Sequence, residues 1–225
     1  MNIEQARFNM IEQQIRPWHV SDASVLKLLA TVKREDFVPP AHKGLAFADL
    51  EIPLMGSGEQ ALALGQCMLE PRLEARLLQD LSIRSTDSVL EIGTGSGYMA
   101  ALMAMQANNV QTLEIVPALA DLARANLRNA GIQNVEVREA DGARLTSTDG
   151  VYDVIVLSGS VTEVPHSLLS MLKVGGRLGA IVGDEPVMRA TVVTRTSETE
   201  FSTVQGWDTV APRLRNFPEP SRFKL

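Results

Sequence analysis

The feature that most restricts the fold is one stretch, Val89-Leu90-Glu91-Ile92-Gly93-Thr94-Gly95-Ser96-Gly97-Tyr98. Residues of strand character run into three glycines at alternate positions, and a helical pattern follows. Glycine adopts torsions closed to other residues and lets a ligand approach bare backbone. A helix N-terminus adds free N–H groups and partial positive charge. From position 88 onward, strand candidates at 88–92, 110–115, 135–138, 152–158 and 177–182 alternate with helical patterns near 97–107, 117–130 and 164–173. Pro117 at a helix start and Gly131 just past its end follow the usual asymmetry of helix ends. This alternation predicts an α/β chain with a mostly parallel sheet covered on both faces. After Gly183 the helical patterns stop. Residues 190–196 and 200–207 alternate like a closing hairpin, which puts one antiparallel strand in a sheet of about seven.

The chain before this region reads as helical. Phe8, Ile11 and Ile15 recur at helical spacing, and Pro17 is expected to stop that segment. Ser21 or Asp22 caps a second helix bearing Val25, Leu26, Leu28, Leu29 and Val32. Phe37-Val38-Pro39-Pro40 closes it. Residues 41–66 carry glycines at 44, 56, 58 and 65 and read as a long loop of the functional kind. Pro71 fits the first turn of a third helix whose apolar positions include Leu73, Leu77, Leu78 and Leu81. The tail from 210 to 225 reads as an irregular, basic strap.

The 225 residues form one compact unit on length, with 45% hydrophobic and 21% charged residues, close to the globular average. The net charge of −6 weighs against general adhesion to nucleic acid or an acidic membrane. No apolar run reaches membrane-spanning length, and charges stand where a signal peptide would have its apolar stretch, so the expectation is a cytoplasmic protein. The single Cys67 excludes an intrachain disulfide, and the usual Cys/His spacings of a metal site are absent.

The glycine spacing discriminates between ligands. A dinucleotide fingerprint places its third glycine three residues after the second, and that position is Tyr98 here. The pattern is instead Glu91-x-Gly93-x-Gly95-x-Gly97. A carboxylate at Glu91 repels a pyrophosphate but suits an ammonium group and a sulfonium, which together describe S-adenosylmethionine. Glu114 ends the next strand, at the distance from which an acid takes both ribose hydroxyls. Asp141-Gly142 follows the third strand, where a polar side chain and backbone can read an adenine edge. All three lie at the carboxyl ends of strands, where open α/β sheets bind ligands. Singly, each is a turn or a solvated strand end; in order and at this spacing they make a nucleoside site with Thr94 inside its turn.

The segment Glu91–Tyr98 resembles the glycine motif of protein-L-isoaspartate O-methyltransferases. Val32-Lys33-Arg34-Glu35-Asp36-Phe37-Val38, Ala46-Phe47-Ala48-Asp49, Tyr152-Asp153-Val154-Ile155-Val156 and Leu172-Lys173-Val174-Gly175-Gly176-Arg177-Leu178 are similar to further segments of that family. The resemblance covers roughly residues 5–185. It implies a Rossmann-like methyltransferase fold with an N-terminal helical extension: residues 1–70 as the extension and substrate-side loop, 71–225 as the Rossmann-like domain. It also implies S-adenosylmethionine as methyl donor and, as partner, a protein or peptide whose isoaspartyl carboxylate is methylated in repair.

One segment departs from the family. Its Gly-Gln-Thr-Ile-Ser-x-Pro motif, with the serine at the active site, is represented by Gly65-Gln66-Cys67-Met68-Leu69-Glu70-Pro71. Gly65, Gln66 and Pro71 keep the register. Leu69 stands where the serine belongs and cannot donate to a carboxylate; a lost buried contact of that kind costs about 1–3 kcal/mol. Gln66, Cys67 and Leu69 are the expected acceptor-side positions. Two other readings stay open: the same fold methylating a small metabolite or RNA, and a cofactor-binding homologue without turnover. Carboxylate methylation rests on alignment of nucleophile and methyl rather than on acid–base help, so scattered His19, His42 and His166 are compatible with it. Trp18 and Trp207 read as packing aromatics, and Arg213 with Arg215 as residues that could steer an anionic acceptor.

Overall fold

The computed structural model describes residues 2–219. Helix α1 (Ile3–Met10) is capped by Asn2, whose side chain accepts from the Gln5 amide. It continues through a π turn (Ile11–Ile15) and a 3-10 turn (Arg16–Trp18). Pro17 therefore lies inside the last turn, and the left-handed His19 (φ 62°) ends the segment. Met10, Ile11 and Ile15 are buried, but Phe8 is 57% exposed. The π turn re-phases the helix after Met10, so the buried stripe does not extend back to Phe8. Asp22, not Ser21, caps helix α2 (Ala23–Thr31), accepting from the Ser24 amide at 2.7 Å.

Residues 41–66 are more regular than a loop. A 3-10 turn (Pro40–Leu45) leads to strand β1 (Ile52–Pro53), helix α3 (Gly58–Ala63) and strand β2 (Cys67–Met68). β1 and β2 pair antiparallel, Ile52 opposite Met68 and Pro53 opposite Cys67. Two-residue strands are too short for alternation to show in a sequence. Helix α4 (Pro71–Leu81) begins on its proline and buries Leu73, Leu77, Leu78 and Leu81.

The main sheet follows as β3 (Ser88–Ile92), α5 (Tyr98–Ala104), β4 (Asn109–Glu114), α6 (Pro117–Asn129), β5 (Val135–Glu139), β6 (Tyr152–Val161), α7 (His166–Leu169), β7 (Leu172–Asp184), β8 (Val187–Arg195) and β9 (Phe201–Thr209). Its order is β5-β4-β3-β6-β7-β8-β9. The first five strands in that order run parallel; β8 is antiparallel to both β7 and β9, so it alone runs against the rest. α7 is a single turn rather than a helix over 164–173, because Leu172 already pairs with Tyr152 in the sheet. The chain order reverses between β3 and β6, which opens a crevice at their carboxyl ends.

One core cluster joins Met10, Ile15 and Leu29 of the N-terminal segment to Leu77, Tyr98, Val89 and Val154. A second, containing Leu90, Ile155, Leu157, Leu168 and Leu178, fills the other face of the sheet. Inside the first lies Arg34, 0% exposed. Its Nη1 donates to Glu74 at 2.6 Å, its Nη2 donates to the Leu69 carbonyl at 2.7 Å, and its guanidinium sits 5.0 Å from the Tyr98 ring centroid. Removing one partner of such a pair strands the other charge out of water. Arg34→Ala is expected to lower the unfolding free energy by about 3–5 kcal/mol, read as a lower urea midpoint at unchanged slope.

Candidate active site

The site is built on the end of β3. Gly93, Gly95 and Gly97 all have positive φ, at 96°, 53° and 84°. Their roles differ. A Cβ on Gly93 would lie 3.1 Å from the Ser158 carbonyl and 3.0 Å from Leu214 Cδ2. A Cβ on Gly97 would meet Leu127 and Ala123 of α6 at 3.2 and 3.3 Å, so Gly97 lets two helices pack. The Gly93 amide donates to the Leu113 carbonyl, which ties the turn to β4.

Glu114 holds the turn from the side. Its Oε2 accepts from the Gly95 amide at 2.9 Å and its Oε1 from the Val116 amide at 3.0 Å. With Gly93, Gly95, Ser158, Gln66 and Cys67 it lines a narrow crevice. The crevice is narrow because the tail crosses it. The Ser160 amide donates to the Pro212 carbonyl at 2.7 Å and the Leu214 amide to the Ser160 carbonyl at 2.9 Å, which seats Leu214 against Gly93 and Gly159. Arg213 and Arg215 line the same opening. The tail is thus an irregular strap as far as it is described; positions 220–225 lie outside the described residues.

Glu91 is placed differently from its expected position. It is 0% exposed and lies beneath the turn, not on the crevice wall. Ser158 Oγ donates to its Oε1 at 2.7 Å and Thr112 Oγ1 to its Oε2 at 2.6 Å, while Thr94 and Thr112 share a hydroxyl contact of 2.6 Å. Burial pushes its carboxyl up to about 8, against the two hydroxyl bonds that pull it down. The acid that the spacing set against the methionine end of a ligand is in this structure buried and joins β3 to β4 and β6. Thr94 is likewise buried and works within this network.

Asp141 and Gly142 lie beyond the residues that line the crevice. Asp141 caps a 3-10 turn by accepting from the Ala143 amide, and it accepts from Asn216 of the tail at 2.9 Å. A Cβ on Gly142 would stand 2.4 Å from Ile92 Cγ2, so packing against β3 requires glycine there.

The acceptor-side positions separate as well. Gln66 and Cys67 reach the crevice; Leu69, 8% exposed, packs with Leu73, Ile181, Met188, Ala190 and Ala211. An apolar side chain in that register gains more by joining this cluster than by facing a polar opening. Burial pushes the Cys67 thiol far up, reinforced by the neighbouring carboxyls of Glu51 and Glu70, which disfavours the thiolate. Two participants escaped the sequence reading. Ser158 was legible in principle, since it ends a predicted strand beside the switch point. Leu214 carried no signal beyond its place in the tail.

The strand order, the crevice at the switch point and the acid after the second parallel strand define a Rossmann-like fold of the methyltransferase type. The description of the protein-L-isoaspartate(D-aspartate) O-methyltransferase family (PCMT) matches residues 5–210. The chain is 37% identical over 223 residues to "Protein-L-isoaspartate O-methyltransferase 1" of Rhodopseudomonas palustris strain HaA2, covering 93% of this chain and 88% of that protein. It is 41% identical over 177 residues to the protein-L-isoaspartate O-methyltransferase of Methanoculleus marisnigri, covering 79% and 77%. A Plasmodium falciparum beta-aspartate methyltransferase (PCMT), crystallised in complex with S-adenosyl-L-homocysteine, superposes with a TM-score of 0.79 at 17% identity, covering 96% of this chain and 99% of that one. The chain belongs to the protein-L-isoaspartate(D-aspartate) O-methyltransferase family.

The raised carboxyl of Glu91 sets a pH dependence. The folded state keeps a proton that the unfolded chain releases above its ordinary value of 4.5. This contribution to stability is complete below that value and fades as pH rises through about 8. Glu74, raised to about 7 by burial, acts in the same sense over a lower range. Urea midpoints are expected to fall between pH 7 and 8 in the wild type. In Glu91→Gln they should stay flatter over that interval.

Proposed function

We propose that this chain transfers a methyl group from S-adenosylmethionine to the free carboxylate of L-isoaspartyl and D-aspartyl residues in proteins, as a step of protein repair. The observation that carries this reading is the span of the family match. Residues 5–210 include the acceptor-side segment around Gln66 and Cys67 as well as the glycine turn. We place the reaction in the cytoplasm, a reducing compartment that suits the single free thiol of Cys67.

The residues at the crevice fit an adenosyl-sulfur donor. Gly93 and Gly95 present bare backbone where a side chain would fill the space, and Glu114 is a carboxylate with lone pairs beyond the two that its amide partners use. When bound, the donor supplies an electrophilic methyl on a positively charged sulfur. Glu114 would hold the two ribose hydroxyls and the glycines the methionine portion. Asp141, linked to the tail through Asn216, would border the adenine. An acceptor carboxylate is already anionic at neutral pH, so no residue has to remove a proton from it. The protein's work is alignment and exclusion of water. Leu214 covers the turn at Gly93, and Leu54 with the Cys67 carbonyl covers it at Gly95.

A second reading, the same fold acting on another acceptor, draws on Leu69 and on Glu51 and Glu70 beside Cys67. One experiment separates the two: purified protein with labelled methyl donor, an isoaspartyl peptide and its aspartyl counterpart. Label is expected in the isoaspartyl peptide alone; tight S-adenosylhomocysteine binding with no label in either would favour the second reading. Glu114→Gln should weaken S-adenosylhomocysteine by about ten- to a hundredfold in calorimetry, the worth of one charge-assisted hydrogen bond.

A further inference from the structure

A groove of about 340 Å³ lies beside the acceptor-side segment, and nothing in the chemistry above uses it. Two arginines one turn apart on α4 line it, each stacked on a tryptophan from another element. The Arg72 guanidinium sits 4.2 Å from the Trp18 ring centroid, and that of Arg76 4.8 Å from the Trp207 centroid. Trp207 is fixed from its other side, its Nε1 donating to Asp80 at 2.9 Å. Arg72 is neutralised by Asp49 at 3.1 Å. Arg76 has no hydrogen-bonded acceptor and no ion pair among the described residues. Glu70 also lines the groove, and its buried Oε2 has no partner.

Shared lining residues lead from the groove toward the crevice. It meets a larger cavity at Val210, and that cavity shares Gly65 and the tail residues Arg213–Arg215 with the glycine turn's crevice. We propose that the groove docks the stretch of substrate polypeptide flanking the acceptor residue, in extended form, with an acidic side chain on Arg76. This rests on the function proposed above and names how its substrate is held. Residues four apart on a helix rise about 6 Å along its axis. An extended chain places side chains of one face about 6.6 Å apart. The two stacked arginines therefore match alternate side chains of a bound strand. The stacked guanidinium and indole groups give the groove flat walls. Because Asp49 already neutralises Arg72, the preference for an acid falls to Arg76.

The chain's two tryptophans are both in this groove, so tryptophan emission reports it directly. Isoaspartyl peptides with a glutamate scanned through the flanking positions are compared with a glutamine series. For at least one position, the acidic peptide is expected to shift tryptophan emission and to show a KM about tenfold below its neutral twin at equal kcat. In Arg76→Gln that ratio should fall to about one, and Arg76→Lys should recover part of it. A ratio that survives Arg76→Gln, or a wild type indifferent to the glutamate at every position, overturns the docking. If the wild type methylates no isoaspartyl peptide, the emission titration still decides. An acidic preference lost in Arg76→Gln would then uphold the groove while the repair reading fails, and no preference would sink both.

Discussion

A carboxyl buried out of water holds the middle of this molecule together. Glu91 takes hydroxyl hydrogen bonds from Thr112 on β4 and from Ser158 on β6, and Thr112 passes a further contact to Thr94 in the turn. A buried acid without such partners would cost about 2–7 kcal/mol even when neutral, a large share of a domain's stability. With them, it locks three neighbouring strand ends into one level. That level puts the backbone of Gly93 and Gly95 at the floor of a crevice and leaves Glu114 beside it, its two oxygens aimed by the amides of Gly95 and Val116. The cofactor side of the site is thus held by polar contacts inside the sheet.

The acceptor side is arranged on other terms. Its segment is pinned from behind, where Arg34 binds the Leu69 carbonyl, and from below, where Leu69 joins an apolar cluster with β7 and β8. What faces the opening is Gln66, Cys67 and the basic tail. The acids Glu51 and Glu70 flank the thiol, so charge of both signs meets there.

Much of this was legible in the sequence. Alternating strand and helix patterns located the parallel strands from β3 to β7, and the period-two alternation after Gly183 located β8 and β9. The glycine turn and Glu114 were placed by spacing alone, since backbone torsion and strand register leave few alternatives. Glu91 was read as a ligand contact because a sequence shows charge but not depth, and only the neighbouring hydroxyls reveal how deep it lies. Gly142, expected to offer its backbone to the nucleoside, also has a packing demand that the sequence did not show, since Ile92 leaves no room for a side chain there. The segment 41–66 hid its short strands and helix, each too brief for a period to emerge. α7 was overextended because apolar residues at 168–172 suit a helix as well as the strand that claims Leu172.

The shared core of the N-terminal segment and the sheet has a consequence for how such a chain diversifies. Met10, Ile15 and Leu29 lie in the same cluster as Val89 and Val154, and Arg34 spends its guanidinium on Glu74, Leu69 and Tyr98. The first seventy residues are therefore no cassette that recombination could exchange for another. A transplanted segment would bare the sheet's apolar face and orphan an ion deep in the protein. New acceptor preferences in this architecture have to arise by point replacement within the existing frame.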